Sequence, residues 1–153
     1  MSIDFNNKII PKEADQALKT IEELLDHMLI GVYLYGSAVM GGLRKNSDVD
    51  ILAVTNRDLS ESTRKNLTDR LMLISGKVGN KNAIRPLEVT VINQNDVVPW
   101  RYPPKYEFLY GEWLREQFEK GEIPKPTYNP DLAILIAQVR NNSMNLSGPI
   151  AAE

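Results

Sequence analysis

Apolar residues recur at the three- and four-residue spacing of an amphipathic helix between Pro11 and Met28, where Ala14, Ala17, Leu18, Ile21, Leu24, Leu25 and Met28 form one stripe. Pro11 suits the first turn of that helix. Val32 to Tyr35 is a short β-branched and aromatic run halted at Gly36, and Val49 to Val54 is a second apolar run that gives way to the polar stretch from Thr55 to Asp58. Both predict buried strands. Ser60 is placed to cap a second helix carrying Leu67, Leu71 and Ile74, which ends near Gly76 before a turn from Lys77 to Asn82. Leu87 to Ile92 predicts a third strand. Val98 to Pro104 contains Pro99, Pro103 and Pro104 and predicts an extended connection.

Further along, Tyr106, Leu109, Tyr110, Trp113 and Leu114 carry helical spacing and predict a further helix. Asn129, Pro130 and Asp131 supply a cap, a first-turn proline and an acidic first turn for a last helix, expected to run to Asn145. Leu132 to Ala137 is apolar on every side of that helix, so together with Trp113 it predicts an exposed hydrophobic patch and a symmetric homodimer that covers it. Strands and helices in this alternation predict an α/β (α+β) fold, a small mixed sheet flanked by helices with strands near 31–35, 49–54 and 87–93.

Composition narrows the chemistry. With 153 residues, 18 basic and 20 acidic, the chain is long enough for one core and has no basic excess to hold a nucleic-acid backbone. The absence of cysteine excludes disulfides, thiolate metal sites and cysteine nucleophiles, and a single histidine, His27, cannot furnish the paired imidazoles of most zinc centres. No apolar run approaches a membrane span, and the first residues lack a signal-peptide pattern, so a cytoplasmic location is the expectation. Catalysis has to run on carboxylates.

The segment from Leu34 to Asp50 is where such carboxylates meet a phosphate-binding pattern. A strand that ends in Gly36-Ser37 and opens into a helical turn presents backbone N–H groups suited to phosphate oxygens, and Gly41 and Gly42 allow close backbone approach. Asp48 and Asp50 alternate along a strand, so their carboxylates leave the same face about 7 Å apart by strand rise. Two carboxylates on an apolar strand are costly unless a divalent cation compensates them, and Mg²⁺ is the hard ion expected beside phosphates. Ser47 is placed to order the turn before the aspartates. Glu88, on the same face of its strand as Thr90 and Ile92, can ligate the ion or take a proton if its strand lies beside that of the aspartates. These parts suffice for phosphoryl chemistry, which depends on positioning and charge neutralisation. Glu112, Glu116 and Glu119 are expected to form a solvated face interleaved with Arg115 and Lys120.

The run Gly36-Ser37, three residues, Gly41, five residues, Ser47-Asp48-Val49-Asp50 resembles the signature of the DNA polymerase β-like nucleotidyltransferase superfamily. Arg85-Pro86-Leu87-Glu88-Val89-Thr90, Pro99-Trp100-Arg101-Tyr102-Pro103, Gly111-Glu112-Trp113 and Asp131-Leu132-Ala133-Ile134-Leu135 extend the likeness over nearly the whole chain to the spectinomycin 9-adenylyltransferases and the related streptomycin/spectinomycin 3''-adenylyltransferases. The resemblance implies Mg²⁺-dependent transfer of AMP from ATP to an antibiotic hydroxyl. It assigns Asp48 and Asp50 as Mg²⁺ ligands, Gly36 and Ser37, with Ser47, as nucleotide-binding residues, Glu88 as catalytic base and Trp113 as a drug contact. It also implies a nucleotidyltransferase domain over residues 1–146, with 147–153 beginning a linker to a helical second domain that this sequence does not include. Without that domain the expected adenylylation is weak. The alternatives are a minimal nucleotidyltransferase of toxin–antitoxin type acting on a protein partner, which the segments from Pro99 to Leu135 disfavour, and a non-enzymatic nucleotide-binding or dimerisation module, which Asp48, Asp50 and Glu88 disfavour.

Overall fold

The computed structural model describes residues 2–3, 9–36, 48–77 and 82–149. In chain order they form β1 (Ser2–Ile3), β2 (Ile9–Ile10), α1 (Lys12–Leu25), β3 (Leu29–Tyr35), β4 (Val49–Thr55), α2 (Glu61–Ile74), β5 (Leu87–Asn93), β6 (Lys105–Tyr106), β7 (Phe108–Tyr110), α3 (Arg115–Glu119), β8 (Thr127–Tyr128), α4 (Asp131–Asn141) and β9 (Met144–Ser147). The central sheet has five strands in the order β7-β5-β4-β3-β9. It is mixed, as expected: β4 and β5 run parallel while β3 pairs antiparallel with β4 and β9, and β5 with β7. The parallel pair is joined through α2, the crossover that parallel neighbours require.

Strand alternation divides the core into two layers. Val32, Leu34, Ile51, Ala53, Val89 and Val91 point to one face, where Ala14, Ala17, Ile21 and Leu25 of α1 and Leu67 and Leu71 of α2 cover them. Tyr33, Tyr35, Leu52 and Ile92 point to the other, against Leu132 and Val139 of α4. The capping expectations hold. The Ser60 hydroxyl accepts from Thr63 N at 3.1 Å at the start of α2, and Asn129 Oδ1 accepts from Asp131 N at 2.9 Å at the start of α4.

Two expected helices are corrected. The stretch from Tyr106 to Leu114 is not helical: Lys105–Tyr106 and Phe108–Tyr110 are strands, and only a 3₁₀ turn at Glu112–Leu114 and the short α3 follow. Tyr106, Phe108 and Tyr110 also satisfy a period of two, and the open edge of β5 offers backbone partners that bury Phe108 and Tyr110 completely. The last helix stops at Asn141 instead of Asn145. Asn141, Asn142 and Ser143 have side chains that compete for backbone hydrogen bonds, and Met144–Ser147 instead pairs with β3. Leu132 and Val139 are buried against the sheet, so the apolar surface of α4 is partly covered and Ile134 is its exposed large hydrophobe.

Candidate functional site

The parallel register of β4 and β5 sets Asp50 directly beside Glu88, and Asp48 lies just ahead of β4 on the same side. One carboxylate oxygen from each of Asp48, Asp50 and Glu88 lies within 4.8 Å of the others, tighter than the strand rise between the two aspartates suggests. That spread fits oxygens around one hard divalent cation, for which metal–oxygen distances are about 2.0–2.6 Å. Glu88 shares its face with Thr90 and Ile92, as the alternation predicts. The three expected carboxylates therefore converge.

Gly36 closes β3 next to them, because Tyr35 is the register partner of Asp50. Its φ of 73° is left-handed, and a Cβ there would collide with Asp50 Oδ2. Glycine thus lets the backbone lie directly against the Asp50 carboxylate. Ser37, Gly41, Gly42 and Ser47 lie outside the described residues.

The electrostatics match a site built for positive charge. Burial first, then the hydrogen bond and charge of Glu88, then the charge of Asp48 push the Asp50 carboxyl up to about 8. Asp48 is also raised, by burial and by the charge of Glu112. Tyr35, beneath the pair, is held far above the ordinary phenol range by burial and by the charges of Glu88 and Asp50. In the absence of a cation, a proton on Asp50 offsets the crowding of negative charge.

Trp113 sits in the 3₁₀ turn after β7, 59% exposed, with its ring packed over Gly111, where any side chain would collide. It stands apart from the carboxylate cluster in the chain order, and the charge that connects its turn to the site is that of Glu112. Glu112 is a correction: it is buried and does not share a solvated helix face with Glu116 and Glu119. Burial works to raise its carboxyl, but hydrogen bonds from Arg115, Ser75 and Tyr110 outweigh that and hold it below the usual range. The spacing of acidic residues gave no signal for this, since Arg115 of α3 is joined around the carboxylate by Ser75 from just beyond α2 and Tyr110 from β7.

A second carboxylate cluster, Asp58, Asp96 and Glu107, lies at the far end of the β4–β5 pair. Lys105 Nζ sits 3.7 Å from Asp96 Oδ2 and 3.6 Å from Glu107 Oε2, while Glu107 Oε1 accepts from Leu59 N at 2.9 Å. The lysine is the counter-ion of this cluster, which braces the end of the sheet. The same sheet face carries an apolar cavity of about 580 Å³ between Tyr33, Leu52, Ile92 and α4 residues such as Ile136 and Val139.

Residues 14–125 match the family model of the nucleotidyltransferase domain. The chain belongs to the nucleotidyltransferase domain family. It is 60% identical over 149 residues to a spectinomycin 9-adenylyltransferase of Staphylococcus aureus, an overlap of 97% of this chain and 57% of the relative. It is 48% identical to a spectinomycin 9-adenylyltransferase of Campylobacter jejuni, over 94% of this chain and 55% of that protein. An Escherichia coli aminoglycoside (3'') (9) adenylyltransferase is 39% identical, over 94% and 55%. Among solved structures, a spectinomycin adenyltransferase from Enterococcus, crystallised with ATP and spectinomycin, superposes with a TM-score of 0.86 at 39% identity, covering 90% of this chain and 55% of that one. This nucleotidyltransferase domain thus spans about half the length of the relatives it matches.

Proposed function

We propose that this domain is the catalytic part of an Mg²⁺-dependent adenylyltransferase that moves AMP from ATP to a hydroxyl of an aminocyclitol or aminoglycoside antibiotic, spectinomycin above all, and so confers resistance in the bacterial cytoplasm. The observation that carries the proposal is the convergence of Asp48, Asp50 and Glu88 beside Gly36. The names of the relatives supply the acceptor class.

In this scheme Asp48 and Asp50 hold the ion, which when bound neutralises phosphate charge during transfer. The backbone at Gly36, together with Ser37 and Ser47, holds the nucleotide phosphates. Glu88 takes the proton of the acceptor hydroxyl as its oxygen bonds to the α-phosphorus of ATP, and the bond from that phosphorus to the bridging oxygen breaks to release pyrophosphate. Trp113 offers an exposed ring to the acceptor. The nucleotidyltransferase unit extends at least through β9, since Ser147 pairs with Val32 and the Tyr33 hydroxyl donates to the Pro149 carbonyl, a few residues beyond the boundary at 146 that the sequence suggests, and a second, helical domain is proposed to follow. Self-association through the outer side of α4, where Ile134 stands exposed, completes the proposal, and light scattering tests it.

Single-turnover pyrophosphate release with spectinomycin tests the assignment of the base. Glu88→Gln should keep Mg·ATP affinity while transfer falls by about 10²-fold or more. Equal transfer rates in the two proteins would remove Glu88 from the mechanism.

A further inference from the structure

Glu112 is a buried carboxylate to which the transfer scheme gives no task, and it is unusually well supplied with donors. Its Oε2 accepts from Ser75 Oγ at 2.6 Å, from the Tyr110 hydroxyl at 2.7 Å and from Arg115 Nη2 at 3.0 Å, and its Oε1 accepts from Arg115 Nε at 2.6 Å. The Glu112 side chain is 4% exposed and that of Arg115 15%. Such a fork of charge-assisted bonds fixes geometry as well as energy.

What the fork ties together is the informative part. Arg115 Nη2 also donates to the carbonyls of Met72 and Ser75, where α2 ends, at 3.2 and 3.1 Å. Ser75 Oγ in turn accepts from Leu87 N at 2.9 Å, and Leu87 is the residue immediately before Glu88. Tyr110 is the last residue of β7, stacked on Phe118 with ring centroids 5.1 Å apart. One carboxylate therefore links the end of α2, the start of the strand that carries Glu88, the end of β7 and the turn that carries Trp113. The turn has a second constraint, because the Trp113 ring lies on Gly111, where a side chain would displace it.

We propose that Glu112 is a positioning residue: through Ser75 and Arg115 it holds Trp113, as the platform for the acceptor, at a set offset from Glu88. This rests on the adenylyltransferase scheme above for the meaning of Trp113 and Glu88, and the geometry of the fork stands apart from it. A small misplacement between an acceptor platform and its base costs rate steeply, which is why such a pair is worth fixing.

The chain's two tryptophans are Trp100 and Trp113, so a Trp100→Phe background leaves Trp113 as a single reporter. Time-resolved fluorescence anisotropy in that background should follow whole-molecule tumbling, the signature of a fixed ring. Adding Glu112→Gln or Ser75→Ala should introduce a faster component. Ser75→Thr, which keeps the hydroxyl, should restore the parent decay, and Glu116→Gln on the exposed side of α3 should leave it unchanged. In transfer assays Ser75→Ala should raise the acceptor KM about tenfold with the Kd for Mg·ATP within about twofold, a split that loss of stability alone does not produce. An unchanged Trp113 decay in both Ser75→Ala and Glu112→Gln would overturn the proposal. So would acceptor KM and Mg·ATP affinity worsening together. Failure of the underlying scheme shows elsewhere, as Mg·ATP binding that is indifferent to Asp50→Asn, and leaves the anisotropy result readable.

Discussion

Replacing Asp50 by Asn in metal-free protein should flatten the dependence of stability on pH. In the folded chain the Asp50 carboxyl is pushed up to about 8 by burial, by Glu88 and by Asp48, whereas an unfolded aspartate titrates near 4. Between about pH 4 and pH 8 the native state keeps a proton that the unfolded chain has released, so stability falls as pH rises. The contribution of this group is complete below about pH 4 and gone above about pH 8. A group shifted by about 4 pH units would be worth at most about 5 kcal/mol, and screening by the solvent that still reaches Asp50 lowers this to about 2–3 kcal/mol. For a chain of this size that is roughly 5–10 °C in Tm. Calorimetric melting in EDTA from pH 5 to pH 8, taken as the difference between the parent and Asp50→Asn, isolates the effect from other titrating groups. Added Mg²⁺ should reverse the trend for the parent, since the cation displaces the proton and binds better as pH rises. Parallel melting profiles for the two proteins would refute this account of the cluster.

Gly36→Ala should cost about 1–3 kcal/mol in melting, because alanine at a left-handed φ is strained, and should lower Mg·ATP affinity more than tenfold in calorimetric titration, because its Cβ displaces the Asp50 carboxylate. A wild-type affinity would show that the close approach is dispensable. Lys105→Met strips the counter-ion from Asp96 and Glu107, so it should lower stability by about 2 kcal/mol in denaturant or thermal melting, and a melting profile equal to the parent's would show that the lysine does not brace the cluster. The substitution should leave Mg·ATP affinity unchanged, since that cluster lies at the other end of the strands.

The parts of this structure legible in the sequence are those with a strong local signal. Three central strands, α1, α2 and the caps at Ser60 and Asn129 follow from period and capping chemistry that tertiary contacts reinforce. The pairing of Asp50 with Glu88 follows from alternation plus a single topological choice, β4 beside β5. The stretch from Tyr106 to Tyr110 was ambiguous, since its apolar residues satisfy both periods and only the free edge of β5 decides between them. The fate of Met144–Ser147 depends in the same way on the edge of β3. Glu112 could not be separated from Glu116 by spacing, because Ser75 comes from the distant end of α2 and Tyr110, two residues away, reaches it only from a strand where the spacing suggests a helix. Tyr35 likewise takes its place under the carboxylates from strand register, with no motif of its own to mark it.

Calorimetric titration of ATP with and without Mg²⁺, in the parent chain and in Asp48→Asn and Asp50→Asn, tests the central claim most directly. The parent should bind ATP tightly only when Mg²⁺ is present, and each variant should lose that Mg²⁺-dependent increment while keeping a cooperative melting transition. Undiminished Mg·ATP binding in either folded variant would contradict the assignment of the carboxylate cluster as the nucleotidyl-transfer site.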